Sequence, residues 1–312
     1  MSVSIFQSTD ASAPSLYGTA GTLITLLDAI LVNGYGAKSS LGWTKAYSGT
    51  NKAAYLSPAG HYLRVDDSAN QYARVVGYHS MTDVDTGTEA FPTSTQFSGG
   101  LYCYKSNTAD GTQRAWVVYS DGNIFYLLID AGSGFNNVHG MIFGAIVSYK
   151  TDDADCSIIV AGDGQYTGYS YVQFVNATAI TSTETGNYIS RKYDGVTASI
   201  ACGKFAIYGH GYSGASGAGG TAYPEPINGG IIISPVAICE SSINRGRLPG
   251  FWFIQQNCPF LAGDTFSGAA GSDLAGRTFR VFRIDSTTTS TGTATGAFAM
   301  ETSDTWHDIN FK

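Results

Sequence analysis

Only one stretch of the sequence, Gly21–Val32, has the apolar spacing of an amphipathic helix. Its stripe, at spacings i, i+3, i+4, i+7 and i+8, consists of Leu23, Leu26, Leu27, Ile30 and Leu31. Thr19 or Thr22 can cap the first N–H groups, and Asn33-Gly34 favours an end to the helix. The run is too short to cross a bilayer, and Asp28 interrupts it. We therefore expect one short N-terminal amphipathic helix, about residues 21–32, that covers an open face of a β-structure.

Most of the remaining sequence predicts β-strands. In the clearest hairpin, residues 114–119 and 124–129 flank Asp121-Gly122, a dipeptide that favours a tight turn. Both segments are apolar at nearly every residue, so we expect both of their faces to be buried. Residues 62–66 and 72–78 predict a second hairpin. The fold class predicted is mainly β, with one or more antiparallel β-sandwiches.

Other segments complete the predicted organisation. Further strands are expected at 100–105, 141–149, 156–161, 231–238, 250–253, 278–284 and 297–302. The strand at 231–238 contains Pro235, which predicts a break or displacement. Residues 81–99 are expected to form a long loop, and the Gly-rich residues 209–220 a flexible one. No fixed-period repeat is present, which argues against a propeller or solenoid.

The predicted domains are an N-terminal arm at 1–20, the helix with a first β-domain at 21–150, and a second β-domain at 151–312. The boundary near 150–155 is soft, and one continuous β-domain is the alternative. The arm and the Gly-rich loop bury too little by themselves to offset their entropy, so we expect them to order on a neighbouring copy.

The sequence is poor in charge. Charged residues make up 13% of the 312 residues, against roughly 25% in typical globular proteins. A surface rich in glycine and tyrosine, of which the chain has 39 and 20, is better suited to contacts between subunits than to a monomer in dilute solution. This composition predicts a homo-oligomer.

The net charge is −7 and the basic residues are scattered, so we expect no nucleic-acid binding. We also expect no membrane insertion, and synthesis in a cytoplasm, because the first ten residues lack the features of a secretion signal.

Five cysteines occur singly, without metal-binding spacing: Cys103, Cys156, Cys202, Cys239 and Cys258. Isolated cysteines in a chain without a secretion signal are typical of buried thiols. We expect all five to be reduced and unpaired.

Two acidic segments invite comparison with calcium sites. From Asp83, the segment Asp83–Glu89 places its glycine at position five and Ser94 at position twelve, whereas an EF-hand requires glycine at six and glutamate at twelve. An acidic turn is the simpler interpretation. Asp152, Asp153 and Asp155 are interpreted in the same way.

No motif predicts catalysis. Residues 211–215 and 214–218 each fail the G-x-S-x-G pattern at the last position. The histidines, none of which forms an i, i+4 pair, are His61, His79, His139, His210 and His307. Acidic pairs for glycoside cleavage meet in space, so the sequence leaves them open. We expect no enzyme activity and no catalytic, cofactor-binding or metal-binding residues.

Several short sequence segments, taken together, resemble a family of virion structural proteins of tailed bacteriophages, about 300 residues long. The segments are Leu41–Tyr47, Gly49–Tyr55, Tyr62–Asp67, Met81–Gly87, Arg247–Gly250, Leu261–Phe266, Leu274–Arg277 and Glu301–Trp306. They span most of the chain, and residues 162–228 match least. The resemblance implies a component of the phage head, neck or tail, with no catalytic or binding residues to carry over.

The function expected is therefore a non-enzymatic structural subunit of a tailed-phage particle. It would act through self-association and contacts with other virion proteins, after synthesis in the host bacterial cytoplasm. The alternative is a glycan-binding receptor or adhesin module of the phage tail, whose exposed aromatic rings would stack on host surface sugars. A depolymerase that cleaves host polysaccharide is a third possibility, which the absent motifs disfavour.

Overall fold

The computed structural model describes residues 2–132, 135, 138–162, 186–206, 230–240, 243–254, 261–283 and 297–306. An α-helix, α1 (Thr22–Leu27), continues as a π-helical segment, Asp28–Asn33. The strands of the first half are β1 (Ser4–Gln7), β2 (Thr44–Gly49), β3 (Lys52–Leu56), β4 (Tyr62–Asp66), β5 (Tyr72–Asp83), β6 (Thr86–Phe91), β7 (Leu101–Tyr104), β8 (Ala115–Ser120), β9 (Ile124–Asp130) and β10 (Val138–Ala145). Those that follow are β11 (Val147–Ser148), β12 (Ser157–Val160), β13 (Asn187–Arg191), β14 (Ala198–Ala201), β15 (Gly203–Ala206), β16 (Ile233–Glu240), β17 (Ile243–Ile254), β18 (Thr265–Ser267), β19 (Thr278–Arg283) and β20 (Ala297–Glu301).

The described strands form three antiparallel sheets, which confirms the mainly β prediction. The N-terminal sheet has the order β2-β3-β4-β5-β6, with β7 also paired to β5. The central sheet has the order β1-β8-β9-β10-β12-β13-β14. The C-terminal sheet has the order β15-β16-β17-β20-β19-β18, with β11 paired to β17. Pro235 lies beside a register shift between β16 and β17, so the predicted displacement at this proline is also confirmed.

The central sheet contributes to two hydrophobic cores. Trp116 and Val118 of β8 are buried with residues of the N-terminal sheet, whereas the intervening Val117 and the following Tyr119 are buried with residues of the C-terminal sheet. Successive side chains of a strand point to opposite faces. The prediction that both faces of this hairpin are buried is therefore confirmed, because one sheet packs on each side of it.

The helix packs as its apolar stripe predicts. All five stripe residues are buried in the core that joins the N-terminal and central sheets. The helical segment ends at Asn33, and Gly34 follows with φ +78°, as the sequence indicated. The prediction of a threonine cap is wrong. Gly21 holds the cap position, and the Asp67 carboxylate accepts a hydrogen bond from the Leu23 N–H at 2.8 Å.

Two other predictions need correction. Residues 81–99 are not one long loop, because β5 extends to Asp83 and pairs with β6 across a turn at Val84-Asp85. The N-terminal arm does not require a neighbouring copy in order to become ordered, because β1 pairs with β8 of the same chain.

The domain division stays a prediction, and the central sheet takes strands from both sides of residue 150. The Gly-rich loop at 209–220 lies outside the described residues.

Candidate interaction surface

Exposed apolar side chains are concentrated in three neighbouring segments: β11 with the turn after it, the turn after β13, and the start of β17. Within the described ranges, six large hydrophobic residues are exposed, and only Leu261 lies away from these segments. We call the other five the turn surface: Val147, Tyr149, Tyr193, Val196 and Ile243. Their exposed fractions are 37%, 42%, 39%, 79% and 40% in that order. Such clustering distinguishes a contact surface from apolar residues scattered singly.

Backbone and side-chain hydrogen bonds bring these three segments together. Val147 in β11 lies opposite Arg247 in β17, and the Tyr149 N–H donates to the Arg245 carbonyl at 3.0 Å. The Lys150 ammonium donates to the Tyr193 carbonyl at 3.0 Å, which joins the turn after β11 to the turn after β13. The Tyr193 N–H in turn donates to the Glu240 carboxylate at the end of β16.

A buried ion pair supports the turn surface from beneath. Arg245 Nη2 lies 2.7 Å from Asp153 Oδ2, and the side chains are 0% and 2% exposed. The guanidinium carbon also lies 5.3 Å from the Tyr193 ring centroid, within cation–π range. Burial raises the pKa of Glu240, and the hydrogen bond from the Tyr193 N–H opposes that shift. These contacts fix the position of Tyr193 relative to β16 and β17.

Charges of both signs lie among these apolar residues. Lys192 Nζ and Asp194 Oδ2 are 3.4 Å apart, and both side chains are more than a third exposed. Val196 occupies the same turn, which is closed by a hydrogen bond from the Lys192 N–H to the Thr197 carbonyl at 2.8 Å. The surface can therefore bury apolar area and form complementary ion pairs with a partner.

The acidic segment Asp83–Glu89 does not direct its carboxylates to one point. Asp85 accepts hydrogen bonds from Lys52, at 2.8 Å, and from Arg64. Asp83 accepts one from the Val84 N–H at 2.6 Å, and Glu89 pairs with Arg191. These contacts agree with the interpretation of an acidic turn. In the second segment, Asp153 pairs with Arg245, whereas the Asp155 carboxylate lies near His79 and Arg191.

The histidines are separated in sequence, but two of them meet in space. The rings of His61 and His79 have centroids 5.1 Å apart. Burial lowers the pKa of His61 to about 4, and the nearby His79 acts in the same direction. His139 is buried beside Tyr104, with ring centroids 4.8 Å apart. His210, His307 and the two serine motifs at 211–218 lie outside the described residues.

Sequence reasoning missed both groupings. The turn surface depends on the pairing of β11 with β17, which no local pattern predicts. The histidine pair did have a signal. In the predicted hairpin of residues 62–66 and 72–78, Tyr62 lies opposite Tyr78, so continuing that register places His61 opposite His79.

Comparison of the chain with protein-family models and with curated proteins gives no match. No helix within the described ranges is long and apolar enough to cross a membrane.

Proposed function

We propose that the protein is a non-enzymatic structural subunit of a tailed-phage particle, which acts through self-association and contacts with other virion proteins. The turn surface is the observation that carries the proposal, because its five exposed apolar side chains belong to segments that are hydrogen-bonded to one another. The low fraction of charged residues and the sequence segments that resemble phage virion proteins support the proposal. The virion is the corresponding location.

A second copy of the chain is the first partner proposed for the turn surface. Lys192 and Asp194 lie on the same turn as Val196, so a twofold arrangement can place each charge opposite its counterpart in the partner. The apolar residues between them would then lose their contact with water. Burial of apolar area is the main favourable term in association.

Sedimentation velocity over a range of protein concentrations tests this interface. We expect reversible oligomers of the wild-type chain, and Val196→Asp should weaken association at least about tenfold, because buried like charges oppose binding. Leu261→Asp is the matched control, since Leu261 is 63% exposed but lies outside the turn surface. Equal effects of the two variants would contradict the assignment of the interface. If the wild-type protein is a monomer in solution, its association is tested in the assembled particle instead, because some subunits assemble only on a template.

The alternative, a glycan-binding receptor module, would use the exposed rings of Tyr149 and Tyr193. Binding of the isolated protein to host cells distinguishes the two functions. A structural subunit should not bind cells when added alone. A receptor module should bind, and should lose binding when Tyr149 is replaced by Ser.

A further inference from the structure

A cluster of metal-ligand side chains lies between the N-terminal and central sheets. His61 precedes β4, His79 belongs to β5, and Asp155 precedes β12. One ring nitrogen of each histidine and one carboxylate oxygen of Asp155 all lie within 4.8 Å of one another. The pairing of β4 with β5 brings the two histidines together, and the central sheet supplies the carboxylate.

His61 has one nitrogen held and the other without a partner. Its side chain is buried, and Nδ1 lies 3.0 Å from Ser157 Oγ. Nε2 is also buried and has no hydrogen-bond partner among the described residues. Buried polar atoms are nearly always paired, and an unpaired one needs an explanation. A ring held at one nitrogen while the other faces a ligand is the usual arrangement of a metal-binding histidine.

The Asp155 carboxylate has ion-pair contacts but no hydrogen-bond donor among the described residues. Its Oδ1 lies 3.8 Å from His79 Nδ1 and 3.6 Å from Arg191 Nε, both longer than a hydrogen bond. The Nη atoms of Arg191 contact Glu89 and the Gly195 carbonyl, whereas its buried Nε, the atom nearest Asp155, has no hydrogen-bond partner among the described residues.

We propose that His61 Nε2, His79 Nδ1 and the Asp155 carboxylate bind a divalent transition metal ion, with Zn²⁺ as the ion that fits best. Two imidazoles and one carboxylate form a recognised zinc ligand set. Bonds of about 2.0–2.2 Å require the three side chains to approach one another by roughly 1 Å. His79 is 42% exposed, so ions can enter from solvent and water can complete the coordination.

An ion-pair cluster without metal is the competing explanation. A protonated His79 would attract Asp155 and Glu89, which lie 3.8 and 3.9 Å from its Nδ1. That arrangement leaves His61 Nε2 without a partner, whereas a metal ion satisfies it. The ion would also connect the two sheets, so it should stabilise the fold. This proposal does not depend on the proposed function.

Zinc binding to chelator-treated protein tests the proposal. Isothermal titration of the full chain with ZnCl₂ should give one equivalent, and the melting temperature should rise with zinc concentration. Asp155→Asn and His79→Gln should each weaken zinc binding at least about tenfold. Mutation of a residue that only supports a metal ligand already weakens metal binding by about tenfold or more, and these two side chains are proposed to bind the ion directly. Asp152→Asn is the matched control, since it removes the same charge from an exposed position in the same loop.

Cobalt distinguishes this site from the cysteines. Co²⁺ bound by nitrogen and oxygen should give visible d–d bands without a thiolate charge-transfer band. The proposal is overturned if wild-type protein shows no saturable zinc binding, or if all three variants bind as it does. A thiolate band at one equivalent would also overturn it.

Discussion

Lys105 forms an ion pair with Asp67 at a position where both side chains are 0% exposed. The other Asp67 oxygen accepts the Leu23 N–H at 2.8 Å, and the Lys105 ammonium also donates to the Thr19 carbonyl at 2.7 Å. The pair therefore connects the start of the only described helix to the N-terminal sheet.

Removal of one partner should be costly. Lys105→Met leaves the Asp67 carboxylate buried without its counter-charge, so we expect a loss of about 3–5 kcal/mol in the free energy of unfolding. Denaturant titration measures it. Lys52→Met is the control, because the Lys52–Asp85 pair is exposed and should contribute about 1 kcal/mol or less. Similar losses of unfolding free energy in both variants would show that the buried pair stabilises the protein no more than the exposed pair does.

Gly140 should be intolerant of any side chain. A Cβ there would lie 1.9 Å from the Leu127 carbonyl oxygen, and φ is +126°. We expect Gly140→Ala to destabilise the protein by more than about 3 kcal/mol, since it combines overlap with backbone strain. At Gly122, with φ +94°, a Cβ would meet no atom within 4 Å, so Gly122→Ala should cost only about 1–2 kcal/mol. Thermal or denaturant unfolding of the two variants compares them, and equal losses would contradict the close approach of β9 and β10.

Stability should fall in mild acid because of His139. Burial lowers its pKa to about 4, and the charge of Asp130 only partly opposes this shift. Between about pH 6.5 and 4, the unfolded chain binds a proton that the folded chain does not. The His139 contribution is therefore constant above pH 6.5, and its loss reaches about 2 kcal/mol at pH 5.

Urea unfolding of the wild type and of His139→Phe at pH 7 and pH 5 isolates that contribution. Other titrating groups are common to both proteins, so the variant should lose about 2 kcal/mol less between the two pH values. An identical pH dependence would mean that His139 is charged in the folded protein.

The cysteines should titrate as five thiols in denaturant without reductant. The four described cysteines, Cys103, Cys156, Cys202 and Cys239, are thiols in the structure, and Cys258 lies outside the described residues. A count of three or one would show that disulfides had formed. In the native protein Cys103 should react slowly, because it is fully buried and burial raises its pKa.

Local pattern predicted those elements whose burial follows from their own sequence. The 3.6-residue stripe indicated the helix, and the continuous apolar runs on both sides of Asp121-Gly122 indicated a hairpin buried on two faces. Strand β6 was missed because Thr86–Phe91 lacks an apolar alternation. Its pairing with β5 and the burial of Phe91 hold it in the sheet.

Features that depend on distant pairing could not be predicted. The carboxylate of Asp67 reaches the helix start across 44 residues, so no local capping pattern contains it. Tyr193 and Val196 belong to a segment whose apolar residues are compatible with either burial or exposure. Only the hydrogen bonds to Lys150 and Glu240 place Tyr193 on the turn surface.

The proposed function is tested most directly by a density map of a tailed-phage particle assembled in the presence of this chain. We predict repeated copies in the particle, at the symmetry of the head, neck or tail, with Val147, Tyr149, Tyr193, Val196 and Ile243 buried against another subunit. Isolated single copies without contact to any virion protein, or particles that lack the chain, would contradict the account.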